Sequence, residues 1–250
     1  MKIGVFGDSF ANLKLRENPT PTWVDILNEK YNVTNFGESG SNLYYSVNKF
    51  KEEQHRFDKI IIVVTVPGRL QLPNWIETLG NTNYRYATNL SNVENQLDRW
   101  HNLNTFDKDH LKINSNLIKA FEAARDYFIY LDNKLYNNFI QKLMIEEVLR
   151  CRSDTIMIPV DVYSFGDGST MTTLSDIYKK ELQAWNENDH SIHNKMIDEA
   201  IIDVRNCHLT VENNVILAEK VEEWLNGSPV EIKLDDFVTP MNKEFYIRKL

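Results

Sequence analysis

Residues 60–66 read IIIVVTV and stop at Pro67-Gly68. Every side chain in the run is β-branched, and no polar residue alternates with them. A strand with one wet face would alternate. An unbroken run predicts a strand covered on both faces, as in a parallel sheet. Proline, which lacks a backbone donor, and glycine then end it.

The flanking segments take their meaning from this strand. Toward the N-terminus, KIGVF at 2–6 ends at Gly7 and predicts an opening strand. PTWVDILNEKY at 21–31 predicts a helix, with Pro21 in the first turn and Trp23, Ile26 and Leu27 on one face. NVTNFGESGSN at 32–42 predicts a short strand opening into a Gly/Ser loop, and a helix follows over 43–56. Toward the C-terminus, 116–150 is helical, as one helix or two. Its expected buried stripe is Leu117, Phe121, Ala124, Phe128, Leu131 and Leu135. TIMIPV at 155–160 predicts a fourth strand. A closing amphipathic helix spans 209–225, with Val215, Leu217, Ala218, Val221 and Leu225 turned inward.

Strands alternating with helices predict a three-layer α/β/α domain around a parallel sheet. A chain of 250 residues fits one such domain over 1–250. Residues 70–115 read as an irregular insert rich in Asn, Trp and Tyr, 161–200 as polar and mixed, and 227–250 as a tail across the surface. Ligands of parallel sheets sit beyond the carboxyl ends of the strands. The loops at 7–10, 37–42 and 65–69 all leave such ends and are expected on one rim.

Twenty-eight basic and 36 acidic side chains leave a formal charge of −8. Nucleic-acid binding draws on basic stripes, so it is not expected, and Lys142, Arg150 and Arg152 read as a solvated helix face. Cys151 and Cys207 make no CxxC pair or disulfide framework. The apolar run at the start is too short for a signal peptide, and no stretch reaches the ~20 apolar residues of a membrane span. A cytoplasmic location is the expectation, with no membrane partner.

Gly7-Asp8-Ser9-Phe10 places a serine just past a buried strand. Its hydroxyl is then on the rim, and its N–H is available to a developing oxyanion. The alternative is a simple helix cap. In Gly37-Glu38-Ser39-Gly40-Ser41-Asn42, glycines let the backbone approach a ligand, and Gly40 can present an N–H. His208 precedes the closing helix, on a loop that can reach the same rim. Asp189, His190 and His193 have metal-like spacing but no further ligands in view, so no metal is assigned. Trp75, Tyr84, Tyr86 and Trp100 either line a sugar surface or pack the insert onto the domain.

Together these three loops resemble the SGNH/GDSL hydrolase family. GDSF at 7–10 resembles its first block, NFGESG at 35–40 its second, and HLTVENNVILAEKV at 208–221 its last. The resemblance implies a flavodoxin-like SGNH fold and a serine esterase without cofactor. Ser9 is then the nucleophile, His208 its base, and the N–H groups of Ser9 and Gly40 the oxyanion hole, with Asp8 and Asn42 in support. The implied substrate is a small-molecule or glycan ester, an O-acetyl group on a glycan being the first choice.

Two departures stand out. The third block normally offers an Asn, whereas the chain reads Thr65-Val66-Pro67-Gly68-Arg69. This variant is similar to a subgroup met in phage and bacterial surface-polysaccharide loci. Arg69 or Thr65 is then the third oxyanion donor, or else Arg69 makes an ion pair with an acid at the core edge. The family's acid lies three residues before its His, where Arg205 stands here. Asp203 is the candidate to orient His208. The competing expectation is a weak or inactive SGNH-like module that binds glycan or serves as a structural component of a larger particle such as a virion. A flavodoxin-like phosphate-binding domain is disfavoured, since GxxxxGK and GxGxxG are both missing.

Overall fold

The computed structural model describes residues 1–11, 21–38, 40–67, 69, 90–103, 115–160, 172–177, 209–228 and 232–237. Four strands, β1 (Lys2–Phe6), β2 (Asn32–Asn35), β3 (Lys59–Val64) and β4 (Ile156–Pro159), form one sheet in the order β2-β1-β3-β4. Every pairing is parallel, with Ile3 beside Val33 on one side and Lys59 on the other, and Ile61 beside Ile156. In β3, residues 60–64 are wholly buried, as a strand with no wet face requires.

The helices divide between the two faces. On one face, α1 (Trp23–Lys30) and the closing helix, here α6 (Val211–Leu225), pack on Ile3, Val5, Ile61, Val63 and Ile158. On the other, α2 (Leu43–Glu53) and α5 (Lys134–Cys151) cover Phe6, Ile60, Ile62 and Val64. There Phe6 stacks on Phe36 at 4.9 Å between ring centroids and meets Phe50 and Phe57 edge-on. Such ring pairs add about 0.5–1.5 kcal/mol each beyond the area they bury. The result is the expected three-layer α/β arrangement around a parallel sheet.

Local signals set the helix ends. Thr22 caps α1 through a capping box with Asp25, so the helix begins after Pro21 rather than at it. Asn42 caps α2 and Thr210 caps α6. The region 116–150 is two helices, α4 (Ser115–Tyr130) and α5, because Asn133 caps a new start after a break at 131–133. The single expected stripe therefore does not continue. Leu117, Phe121 and Ala124 are buried, but Leu131, in the break, and Leu135, beyond it, are exposed.

Val215 also differs from expectation and is exposed, while Asn213 and Asn214 turn inward from the first turn of α6. Within the insert, α3 (Leu90–His101) pairs with α4, and Trp100 is buried edge-on against Phe121 at 4.7 Å. Trp100 thus packs the insert. Trp75, Tyr84 and Tyr86 lie outside the described residues. In the tail, Ile232 and Phe237 are buried in the core beneath α6.

The cluster of Lys142, Arg150 and Arg152 divides between solvent and structure. Lys142 and Arg150 are exposed, and Arg150 pairs with Glu147. Arg152 binds Asp154 and donates to the carbonyls of Phe57 and Asp58, tying α5 to the start of β3. No helix among the described residues is long and apolar enough to cross a membrane.

Candidate functional site

The chain runs from β1 to β2 on one side and from β3 to β4 on the other. Strand order therefore reverses between β1 and β3, the place where an open parallel sheet leaves a crevice beyond its carboxyl ends. The loops after β1, β2 and β3 meet there.

Asp8 is their common centre. It follows Gly7, just past the end of β1, and is fully buried. Its Oδ2 accepts from Thr65 Oγ1 at 2.8 Å and from Arg69 Nη1 at 3.2 Å, and its Oδ1 accepts from the Phe10 N–H at 3.0 Å. A buried carboxylate is tolerated when donors and a counter-charge replace water, and these three supply both.

Arg69 Nη1 also donates to Ser41 O at 2.8 Å, so one guanidinium nitrogen joins all three loops. Asn42 adds a further tie. Its Nδ2 donates to Arg69 O at 3.3 Å while its Oδ1 accepts the Tyr45 N–H at the start of α2. From α5, Gln141 Nε2 donates to Thr65 O at 2.8 Å. Beside this network, burial and the charge of Glu38 push the Tyr45 phenol up from its ordinary value.

The first two loops dock on each other through Gly7. Its carbonyl accepts from the Glu38 N–H at 2.9 Å and from Ser41 Oγ at 3.1 Å. A side chain at Gly7 would place its Cβ 2.7 Å from Val63, closer than packed atoms come. Gly40 has φ +79°, a left-handed conformation that glycine adopts without strain. Ser9 is half-buried between Asp8 and the buried Phe10.

A second network ties this rim to the far end of the chain. Asn214, on the first turn of α6, donates from Nδ2 to the carbonyls of Leu209 and Thr210, both at 3.0 Å. Its Oδ1 accepts the Trp23 N–H at 3.0 Å, and Trp23 Nε1 donates to Phe10 O at 2.8 Å. Phe10 follows Ser9 in the chain and Leu209 follows His208. Those two residues share one core cluster, joined by a relay through two buried side chains.

Asp8, Ser9, Gly40, Asn42, Thr65 and Arg69 therefore lie on the loops that meet at this crevice. Asp203 and His208 lie outside the described residues, as do Asp189, His190, His193 and Cys207. One role read from the sequence changes in detail, that of Thr65. The one hydroxyl proton of Thr65 is directed at Asp8, and Thr65 is buried, so this residue positions Asp8 instead of facing an oxyanion. Arg69 Nη1 is likewise engaged by Asp8 and Ser41, which is the ion-pair alternative.

The sequence reading missed Asn214, Trp23 and Gln141 as parts of this framework. The legible signal was Asn213-Asn214 on a helix face otherwise reserved for apolar residues.

Beside Arg69 and Asn42 lies a cavity of about 200 Å³, walled by α2, the end of β3 and the α4–α5 hairpin. Among the described residues no cluster of three His, Cys, Asp or Glu side chains is arranged to hold a metal ion. No protein-family model matches the chain, and a search of curated proteins finds no match.

Proposed function

We propose that this chain is a serine esterase of the SGNH/GDSL type, with Ser9 as nucleophile and His208 as base. The observation that carries the reading is the relay Phe10–Trp23–Asn214–Leu209, which ties the residue after Ser9 to the residue after His208 across nearly the whole chain. A tie of that kind holds the neighbours of both residues in one core cluster, which supports a site drawn from opposite ends of the sequence. The strand reversal beside Ser9 supports it further.

In this mechanism His208 takes the Ser9 proton as Oγ attacks an ester carbonyl, with Asp203 orienting the imidazole. The N–H groups of Ser9 and Gly40 stabilise the oxyanion, and the positive φ at Gly40 suits an amide turned toward a ligand. His208 then protonates the departing alcohol, and water cleaves the acyl-enzyme with the same base. Asp8, held by Thr65 and Arg69, fixes the loop that carries the nucleophile. The substrate assigned is a short acyl ester, with O-acetyl on a glycan the first choice.

One observation favours a second reading. With Thr65 Oγ1 and Arg69 Nη1 both engaged by Asp8, the third oxyanion donor would have to come from Arg69 Nε or Nη2, in place of the usual Asn, and is missing if neither faces the site. Losing one such donor costs a factor of about 10²–10³ in rate. A catalytically weak or inactive glycan-binding module, including a component of a virion, fits that deficit. A fluorophosphonate probe separates the two: labelling of the wild type that disappears in Ser9→Ala supports the esterase. Equal labelling of both proteins, or hydrolysis of p-nitrophenyl acetate that survives Ser9→Ala, removes Ser9 from the mechanism.

A further inference from the structure

The cavity beside Arg69 has a mixed lining, aliphatic where Leu43, Val66, Pro67, Ile140 and Met144 meet it and aromatic or polar elsewhere. Tyr44, Tyr127 and Tyr136 contribute aromatic rings from α2, α4 and α5, and Asp132 and Asn137 contribute polar groups from the hairpin turn and α5. Tyr44 and Tyr136 are 52% and 59% exposed, so a ligand in the cavity can reach them. Asn137 Nδ2 donates to Asp132 Oδ1 at 2.6 Å, which fixes both planar groups in place. Asp132 Oδ2 and Asn137 Oδ1 are left as acceptors, and the tyrosine hydroxyls both donate and accept.

Aromatic and aliphatic faces combined with preset acceptors suit a ring whose faces are C–H and whose rim is hydroxyl. A volume of about 200 Å³ is of the size one such ring needs. The cavity adjoins the nucleophile loop through Arg69, whose Nη1 binds Asp8, the residue before Ser9.

We propose that this cavity is a subsite for a single pyranose ring, the alcohol portion of the ester. Its place as a substrate subsite rests on the esterase reading, whereas its capacity to bind a sugar does not. The test therefore uses Ser9→Ala protein and reads binding alone. Glucose, galactose, rhamnose and N-acetylglucosamine are titrated separately while protein amide and side-chain NMR signals are followed.

The expected result is saturable binding of at least one sugar in the millimolar range, with shifts centred on Tyr44, Tyr136 and Asn137. Tyr136→Ala and Asp132→Asn should each weaken it at least about tenfold. Tyr130→Ala, at an exposed tyrosine outside the cavity, should leave it unchanged. No saturable shift with any of the four sugars, shifts centred elsewhere, or equal loss in Tyr130→Ala would overturn the proposal. Fluorophosphonate labelling of the wild type is a separate readout, so failure of the subsite and failure of the esterase reading are distinguishable.

Discussion

Asn214 accepts the Trp23 N–H through Oδ1 at 3.0 Å, holding the first turn of α1 against the first turn of α6 although the two residues are 191 positions apart. The same amide donates to two carbonyls, and all of these groups are buried. Asn214→Ala would leave a donor and a carbonyl unpaired in the core. The expected cost is about 2–3 kcal/mol, or a fall of roughly 4–10 °C in Tm. If Ser9 and His208 act together as proposed, turnover should fall by more than this stability loss explains, because the relay also ties Phe10 to Leu209. Thermal denaturation beside kcat/KM would show it, and an unchanged Tm would refute the role.

The Asp8 network predicts graded losses. Thr65→Val keeps the shape but removes a donor to a carboxylate, which should cost about 1.5–3 kcal/mol. Asp8→Asn removes the counter-charge of Arg69, whose side chain is only 18% exposed, and should cost about 3 kcal/mol. In Asp8→Asn/Arg69→Met the two losses should be less than additive, since the pair is removed together. Urea denaturation of the four proteins measures the coupling, and strict additivity would show that the two side chains act independently.

Gly40→Ala tests the second loop. At φ +79° an alanine costs about 1–2 kcal/mol of backbone strain. If the Gly40 N–H serves the oxyanion, a disturbed loop should also slow fluorophosphonate labelling by about 10²-fold. A stable variant with normal labelling would remove Gly40 from the oxyanion hole.

Acid stability should carry the mark of Glu222. Hydrogen bonds and charge from Lys30, with help from the Tyr31 hydroxyl, hold its carboxyl below the ordinary value of 4.5. A depressed folded value means the contribution is complete above the unfolded glutamate range and is lost as pH falls through the folded value. The pair is partly exposed, so the effect is small. Glu222→Gln should lower Tm by roughly 1–3 °C at pH 7 and by nothing measurable at pH 2. A difference that persists undiminished at pH 2 would point to packing instead of charge.

Much of this was readable in the residue order. The β-branched run at 60–64, the opening strand and the capped helices are local or strictly periodic signals, and each formed within a few residues of its expected place. Periodicity failed where a cap intervened. Asn133 restarts the helix, so Leu131 and Leu135 left the stripe they seemed to continue in sequence. It failed again at α6, where Asn213 and Asn214 took inward positions that hydrophobicity would have given to Val215.

The residue order was enough to establish a parallel sheet, its covering helices and the three loops at its carboxyl edge, because burial on both faces and helix capping are properties of neighbouring residues. Which atoms those loops would share was a matter of strand order and packing. Asp8 could be recognised as a loop residue, but its binding to Thr65 and Arg69 depends on β1 lying beside β3. The bridge from Phe10 to Leu209 likewise exists only because α1 and α6 pack on the same face. Hydrogen bonds between side chains so far apart in the chain follow from three-dimensional proximity, and no local pattern encodes them.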